Sequence, residues 1–243
     1  MVKADEITVL LRRAPLFCDI SAQTLEAISR KAQMVSYASG ERLFSSGDSP
    51  DYLHVLIEGP VKLVVEQFDG RESIIELLQP VDSFLMAAVL TAKPYLMTAE
   101  AIGPVRVLLI PGELLRRLVG SDPHLALIML ASMGNQYRQL VRHIKDLRLR
   151  TAAQRLGVYL LQLAERERGG DRVRLPFVKK LIAARLNVTP ESLSRAIGEL
   201  RQAGVEIHDD EVHLRDIEQL RRFCHVDHIL DQLDEDLFVL SER

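Results

Sequence analysis

A chain of 243 residues is long enough for two domains, each with its own hydrophobic core. Its 31 basic and 34 acidic residues give a net charge of −3, so nucleic-acid binding would depend on local basic side chains and not on overall charge. The two cysteines, Cys18 and Cys224, exclude a disulfide framework and a four-thiolate iron–sulfur cluster within one chain. Neither a membrane span nor a signal peptide is predicted, which favours a cytoplasmic location. Because phosphate loops, nucleophile elbows and zinc-protease motifs are absent from the sequence, we predict that the protein is not an enzyme.

The first half of the chain passes from helical patterns to short strands. Residues 5–33 have helical periodicity around a loop, and Ser21 is predicted to cap a helix over 22–32. From Met34 to about Pro111, glycine, proline and aspartate punctuate short alternating segments typical of strands. The dipeptide Asp69-Gly70 between two such segments predicts a hairpin.

A long helix is predicted from about Pro123 to about Leu147, with Ser121 or Asp122 as its cap. Apolar residues recur along it at steps of four and three, namely Ala126, Leu130, Met133, Tyr137, Leu140, Ile144 and Leu147. This heptad pattern favours a two-stranded coiled coil in a homodimer, and a helix packed on its own domain is the alternative. A hinge is predicted at 148–150, followed by a helix over 151–166.

Residues 179–203 have the pattern of a helix-turn-helix. Asn187 suits a left-handed turn, Thr189 is a cap, and Pro190 fits the first position of the second helix. The buried positions are predicted to be Leu181, Ile182 and Leu186 in the first helix and Leu193, Ile197 and Leu200 in the second. The candidate DNA-contacting residues are Lys180, Thr189, Glu191, Ser192, Ser194 and Arg195. Two short strands are predicted after Gly204. An ordinary two-helix corner, or one that contacts only protein, is the alternative.

Glu191-Ser192-Leu193-Ser194-Arg195 resembles the E-x-x-S-R recognition pattern of the FNR branch in the CRP/FNR family of transcription regulators. The resemblance covers nearly the whole chain. It implies an α+β fold, with a β-roll sensor domain over 1–120 and a dimerisation helix over 121–148. A winged helix-turn-helix over 149–222 and an extension over 223–243 would follow. It also implies that Glu191, Ser194 and Arg195 read a TTGAT-like inverted repeat in double-stranded DNA, and that RNA polymerase is a partner.

The same resemblance argues against cyclic AMP as effector. Cyclic-nucleotide binders of this fold carry a Gly-Glu pair and an arginine, where this chain has Leu85 and Met86 and then Leu96 or Met97. A cyclic phosphate buried there would lack its charge partner.

Residues 94–101 resemble the DNR/NNR branch of the family, whose nitric-oxide-responsive members are thought to use haem. This makes haem with nitric oxide or carbon monoxide a candidate effector, and His54, His124 and His143 are the candidate ligands. The expected effector pocket consists of Phe84, Leu85, Met86, Met97, Met133 and Tyr137. Met133 and Tyr137 are expected to lie close to both the pocket and the dimer seam. A regulator without effector, its pocket filled by its own side chains, is the alternative.

The segment after Phe223 contains Cys224, His225 and His228, whose spacing matches no common zinc pattern. Leucines at helical spacing therefore favour a short amphipathic helix without a metal site, and a metal site at these residues is the alternative.

Overall fold

A computed structural model describes residues 4–80, 82–166 and 170–226. The helix predicted from the leucines after Phe223 lies outside these residues, and so does His228. The chain folds as two compact units, an N-terminal one that extends to Asn135 and a C-terminal one that begins at Gln136. None of the described helices is both long enough and apolar enough to span a membrane.

The N-terminal unit begins with two helices, α1 (Ala4–Arg13) and α2 (Ala22–Ser29), on either side of a 3-10 turn. Ser21 caps α2 as predicted, because its hydroxyl accepts the Thr24 N–H at 3.1 Å. The helix is shorter than the predicted span 22–32 and ends at Ser29.

Eight antiparallel strands form two four-stranded sheets, with orders β1-β8-β3-β6 and β2-β7-β4-β5. The strands are β1 (Gln33–Tyr37), β2 (Arg42–Phe44), β3 (Tyr52–Glu58), β4 (Val61–Glu66), β5 (Glu72–Leu78), β6 (Ser83–Phe84), β7 (Thr98–Ala101) and β8 (Val105–Pro111). The predicted hairpin joins β4 to β5, and Gly70 adopts the left-handed conformation that its turn requires. The predicted β-roll is confirmed by this arrangement.

Two helices of the N-terminal unit were not predicted from the sequence. They are α3 (Met86–Thr91), between β6 and β7, and α4 (Gly112–Ser121), after β8. Arg116 on α4 donates from Nη1 to the Val89 carbonyl of α3 at 2.7 Å. This bond satisfies a carbonyl at the end of α3 and ties the two helices together.

The long helix α5 (Pro123–Leu149) follows the prediction closely. Asp122 is its cap, because one carboxylate oxygen accepts the N–H groups of His124 and Leu125 at 3.0 and 3.1 Å. The other oxygen accepts the Thr24 hydroxyl at 2.7 Å. At 27 residues, the helix is about 40 Å long.

Within the described residues, the C-terminal unit contains four more α-helices and a three-stranded sheet of order β10-β11-β9. The helices are α6 (Ala152–Arg166), α7 (Lys179–Arg185), α8 (Pro190–Leu200) and α9 (Ile217–Phe223), and the strands are β9 (Arg172–Arg174), β10 (Val205–His208) and β11 (Glu211–Leu214). Helix α6 packs on α8, and buried leucines such as Leu156, Leu160, Leu193 and Leu200 form the core. The winged helix-turn-helix prediction is confirmed, whereas α9 was not predicted.

Candidate nucleic-acid interface

The turn between α7 and α8 forms as its sequence predicts. Asn187 has a positive φ of 52°, and the hydroxyl of Thr189 accepts the Ser192 N–H at 3.2 Å. Ile182 in α7 and Leu193 and Leu200 in α8 are buried. The predicted buried residues Leu181, Leu186 and Ile197 are only half-buried, and Ala183 and Ala196 are buried instead.

The first turns of α8 leave four predicted contact residues exposed: Thr189, Glu191, Ser194 and Arg195. Lys180, near the start of α7, is exposed as well. Ser192 is half-buried, and its hydroxyl lies 3.2 Å from both Thr189 Oγ1 and Arg195 Nη2. Ser192 therefore orients the Arg195 side chain on the helix surface, whereas the sequence predicted that Ser192 contacts DNA.

Glu191 and Arg195 present opposite charges on one helix face. Hydrogen bonds from its own backbone N–H and from Thr189, with a smaller contribution from Arg195, lower the pKa of Glu191. Its carboxylate is therefore ionised at neutral pH and can only accept hydrogen bonds, whereas Arg195 can only donate. Ser194 donates its hydroxyl to the Pro190 carbonyl at 3.1 Å and keeps its lone pairs as acceptors.

Helix α6 supports the helix-turn-helix through two arginines that sequence patterns did not reveal. Arg155 on α6 donates from Nη1 to the Leu186 carbonyl at 2.7 Å, at the C-terminal end of α7. The guanidinium of Arg185, on α7, lies 5.5 Å from the ring centre of Tyr159 on α6. Both contacts join residues far apart in sequence, so no local motif could have indicated them.

The turn of the wing, between β10 and β11, is acidic. Asp209 has a positive φ of 54°, and Asp210 accepts from Arg174 Nε at 2.6 Å. This ion pair holds the wing turn against β9.

On α5, five of the predicted seam residues are exposed: Leu130, Tyr137, Leu140, Ile144 and Leu147. Leu127 and Val141, which the prediction omitted, are exposed too. Met133 differs, since it packs against the hydrophobic core of the N-terminal unit. A helix that exposes so many large apolar side chains at intervals of three and four is typical of one that buries them against another chain.

In the N-terminal unit, the residues expected to form the effector pocket belong to a packed core. Phe84 and Met86 are buried, and Leu85, Met97 and Met133 pack against the same core. Tyr137 is 68% exposed, so its expected role in the pocket stays a prediction.

The residues at the positions of the cyclic-nucleotide motif differ from one another in their surroundings. Leu96 is 81% exposed, and the nearby Lys93 is exposed as well. Leu85 has a φ of 58°, a conformation that a glycine would adopt without steric cost.

His54 lies among three aromatic rings and is only 4% exposed. Its ring centre is 4.9 Å from that of Phe44, 5.5 Å from that of Phe84 and 6.1 Å from that of Tyr95. Burial lowers the pKa of His54 to about 4, and the Tyr52 backbone only partly offsets this. Nδ1 makes no hydrogen bond within the described structure. A buried nitrogen without a partner is a feature of a metal ligand, but a haem bound to this ring would displace at least one of the neighbouring rings. The residues as packed therefore do not fit haem.

The other two candidate haem ligands lie in different surroundings. His124 is exposed, with Nε2 3.1 Å from the Asp19 carbonyl, and His143 is exposed on α5.

Cys224, a residue of the candidate metal cluster, is fully buried, with its Sγ packed over Gly157. The described part of the chain contains no group of three or more His, Cys, Asp or Glu that could hold a metal ion.

Each of the two units matches the model of a known protein domain. The model of the cyclic nucleotide-binding domain matches residues 34–122, and that of the Crp-like helix-turn-helix domain matches residues 154–223. A CRP-like cAMP-activated global transcriptional regulator from Mycobacterium tuberculosis is 26% identical over 223 residues, or 90% of this chain and 98% of its own.

Among the solved structures that the chain resembles, two cover more than nine-tenths of it. One is the structure of a protein from Ruegeria pomeroyi that is described as a cyclic nucleotide binding protein. It is 32% identical with a TM-score of 0.62, covering 93% of this chain and 100% of its own. The structure of DNR from Pseudomonas aeruginosa is 28% identical with a TM-score of 0.52, covering 92% and 100%. The latter supports the resemblance to the DNR branch seen in the sequence.

Proposed function

Because the chain belongs to the CRP/FNR family of DNA-binding transcription regulators, we propose that two copies of it read an inverted repeat with TTGAT-like half-sites. Its relatives are regulators and not enzymes, in agreement with the sequence prediction. The observation that carries the proposal is the exposed row Glu191, Ser194 and Arg195 at the start of a rigidly capped α8.

The chemistry of these three side chains suits base edges in the major groove. Arg195 can donate two hydrogen bonds to guanine O6 and N7, and the ionised Glu191 can accept from cytosine N4. Ser194, whose hydroxyl donates to the Pro190 carbonyl, can accept from a base amino group. Lys180 and Thr189 lie nearby and supply contacts to phosphate, which fix the register of the helix on the duplex.

The exposed apolar face of α5 supports a homodimer as the binding species. A two-fold symmetric dimer presents two copies of α8 to two half-sites about one helical turn apart. The residues proposed to meet across the seam are Leu130, Met133, Tyr137, Leu140, Ile144 and Leu147, together with Leu127 and Val141. RNA polymerase is the partner that such a DNA-bound regulator would contact, and the cytoplasm is where it would do so.

Cyclic AMP is not the effector in this proposal. Met86 is buried in the core at the position where family members that bind cyclic nucleotides have a glutamate. A cyclic phosphate at the start of α3 would meet apolar side chains, and Arg116, the arginine that approaches α3, donates to its other end. Burying a phosphate without a charge partner costs several kcal/mol.

Haem with nitric oxide or carbon monoxide remains the candidate effector only if the rings around His54 move apart. An absorption spectrum before and after haem addition, then with each gas, tests this directly. A Soret band that shifts with the gas and is lost in His54→Phe would establish haem at His54. No band would favour the regulator whose pocket is filled by its own side chains.

The proposed function is tested by fluorescence anisotropy with a labelled duplex that carries two inverted TTGAT half-sites. We expect this duplex to bind on the order of 10³-fold or more tightly than a scrambled one. Affinity should also fall steeply with salt, because phosphate contacts release counterions. Equal affinity for the two duplexes would instead support a helix-turn-helix that serves protein contacts.

A further inference from the structure

The junction between α5 and α6 consists of two residues, Arg150 and Thr151, and a charged side chain is buried in it. The side chain of Arg150 is only 3% exposed. A buried guanidinium is costly unless its N–H groups find acceptors, so its partners indicate what it holds together.

The guanidinium of Arg150 bridges two helices that are far apart in sequence. Nη1 pairs with the carboxylate of Asp146, in the last turn of α5. Nε donates to the Cys224 carbonyl at 3.2 Å and Nη2 to the His225 carbonyl at 3.3 Å, both just after α9. These carbonyls lie at a helix C-terminus, where the partial negative charge of the helix favours a cation. One side chain thus joins the last turn of α5 to the end of α9.

A second set of contacts fastens the same end of α9 to α6. Gln154 on α6 donates from Nε2 to the Phe223 carbonyl at 3.1 Å. Gln154 is itself held by a reciprocal cap, because its Oε1 accepts the Thr151 N–H and Thr151 Oγ1 accepts the Gln154 N–H. A Cβ added to Gly157 would lie 2.3 Å from Cys224 Sγ, so only glycine permits this close approach.

We propose that Arg150 is a positioning residue, which fixes the direction in which the long helix enters the DNA-binding domain. All of its described partners belong to the C-terminal unit. Together with the contacts of Gln154, they join the last turn of α5, the first turn of α6 and the end of α9 in one rigid junction. The inference rests on the proposed function, since in a dimer each junction sets where its copy of α8 is presented. Arg150 thereby sets the separation of half-sites that the dimer accepts, without contacting DNA itself.

The spacing of half-sites reports on this rigidity. One added base pair moves a half-site by about 3.4 Å and rotates it by roughly a tenth of a turn. A rigid junction penalises this displacement, whereas a loosened junction lets each domain follow its half-site. A mere loss of stability would weaken binding to every duplex and would leave the preference for one spacing unchanged.

The test compares the affinity of the full chain for duplexes with the preferred spacing, with one base pair more or less, and with a single half-site. Arg150→Met removes the donors and keeps most of the apolar stem. Arg150→Lys keeps the charge but loses the planar fork that reaches a carboxylate and two carbonyls together. Asp146→Asn weakens the link to α5 and leaves the link to α9 intact. Arg148→Met, at an exposed position in the same turn, is the matched control.

In Arg150→Met we expect the ratio of affinities between preferred and altered spacing to fall by about 3- to 30-fold, with single-half-site binding little changed. Arg150→Lys and Asp146→Asn are expected to lower the ratio less, and they carry the test if Arg150→Met fails to fold. The proposal is overturned if a folded dimeric variant of Arg150 keeps the wild-type ratio, or if Arg148→Met lowers it equally. Failure of the proposed function is distinguishable, because the wild-type protein would then not prefer the palindrome over scrambled DNA.

Discussion

Arg195 is the side chain on which sequence discrimination depends most in the proposed complex. Its guanidinium is exposed and oriented by the hydroxyl of Ser192, 3.2 Å away. We expect Arg195→Ala to weaken binding to the TTGAT palindrome by about 1–3 kcal/mol, since a bidentate pair with guanine is lost. Binding to scrambled DNA should fall far less, because phosphate contacts are shared by all sequences.

The control for Arg195 is Arg201→Ala, which removes an exposed arginine beyond the C-terminal end of the same helix. We expect it to change the affinities for both duplexes by similar, small factors. Anisotropy titrations with the two duplexes give the comparison. An equal loss of specific and non-specific binding in Arg195→Ala would assign this residue to the phosphate backbone.

His54 makes the stability of the N-terminal unit depend on pH. Burial lowers its pKa from 6.5 to about 4 in the folded protein, so between these values the unfolded chain binds more protons than the folded one. The contribution of the neutral His54 side chain to the free energy of unfolding is therefore complete above about pH 6.5 and is lost as the pH falls towards 4. The full effect is on the order of 3 kcal/mol.

We expect His54→Phe to reduce this loss, because the ring is retained and nothing titrates. Thermal unfolding between pH 7.5 and 4.5 measures the difference in slope between variant and wild type. His124→Gln removes an exposed histidine of the same unit and serves as the control. A variant that follows the wild-type slope throughout would show that other groups determine the acid sensitivity.

At the scale of elements, α3 begins and ends in strained backbone. Leu85 precedes it with a φ of 58°, and Ala92 ends it with a φ of 52°. Ala92 is exposed, so Ala92→Gly loses no packing and relieves the left-handed conformation. We expect it to stabilise the protein by about 1 kcal/mol in denaturant unfolding.

The same substitution inside α3 should have the opposite sign. Ala87 is also exposed but has helical backbone, and Ala87→Gly should destabilise by about 0.5–1 kcal/mol. The pair separates backbone strain from the general effect of adding a glycine. If both variants lose stability, the ends of α3 are not strained in solution.

The elements that sequence predicted well are those with local signals. Asn187, Thr189 and Pro190 specify the turn of the helix-turn-helix, and Asp69-Gly70 specifies a hairpin, because each feature is determined within a few residues. The last two strands of the predicted region from Met34 to about Pro111 are β7 and β8, which belong to different sheets. Sheet membership depends on partners distant in the chain, so alternation alone could not separate the two strands.

The contacts that fix elements to one another escaped prediction for the same reason. Arg116, Arg150 and Arg155 each donate to the C-terminal carbonyls of another helix, 27 to 75 residues away. In the sequence these arginines have the appearance of ordinary solvated cations. The helices α3 and α9 were missed as well, because with six and seven residues they are too short for a clear helical period. Helix α4, of ten residues, was also missed.

At the scale of the whole molecule, the apolar face of α5 should determine both the oligomeric state and the affinity for DNA. Ile144 is 45% exposed on this face. In the proposed dimer, Ile144→Glu would place two carboxylates at the seam, where burial of like charges is unfavourable. We expect a monomer in sedimentation at micromolar concentration, with an affinity for the palindrome reduced by about 10²-fold or more, because linkage of the two half-site contacts is lost.

Gln139→Glu introduces the same charge on another face of α5 and should leave the dimer intact. Affinity for a single half-site should differ little between Ile144→Glu and Gln139→Glu, since neither substitution touches α8. A dimer that persists in Ile144→Glu would place the interface elsewhere. A monomer that still binds the palindrome at wild-type affinity would contradict binding as a symmetric dimer, because one recognition helix would then supply the full affinity alone.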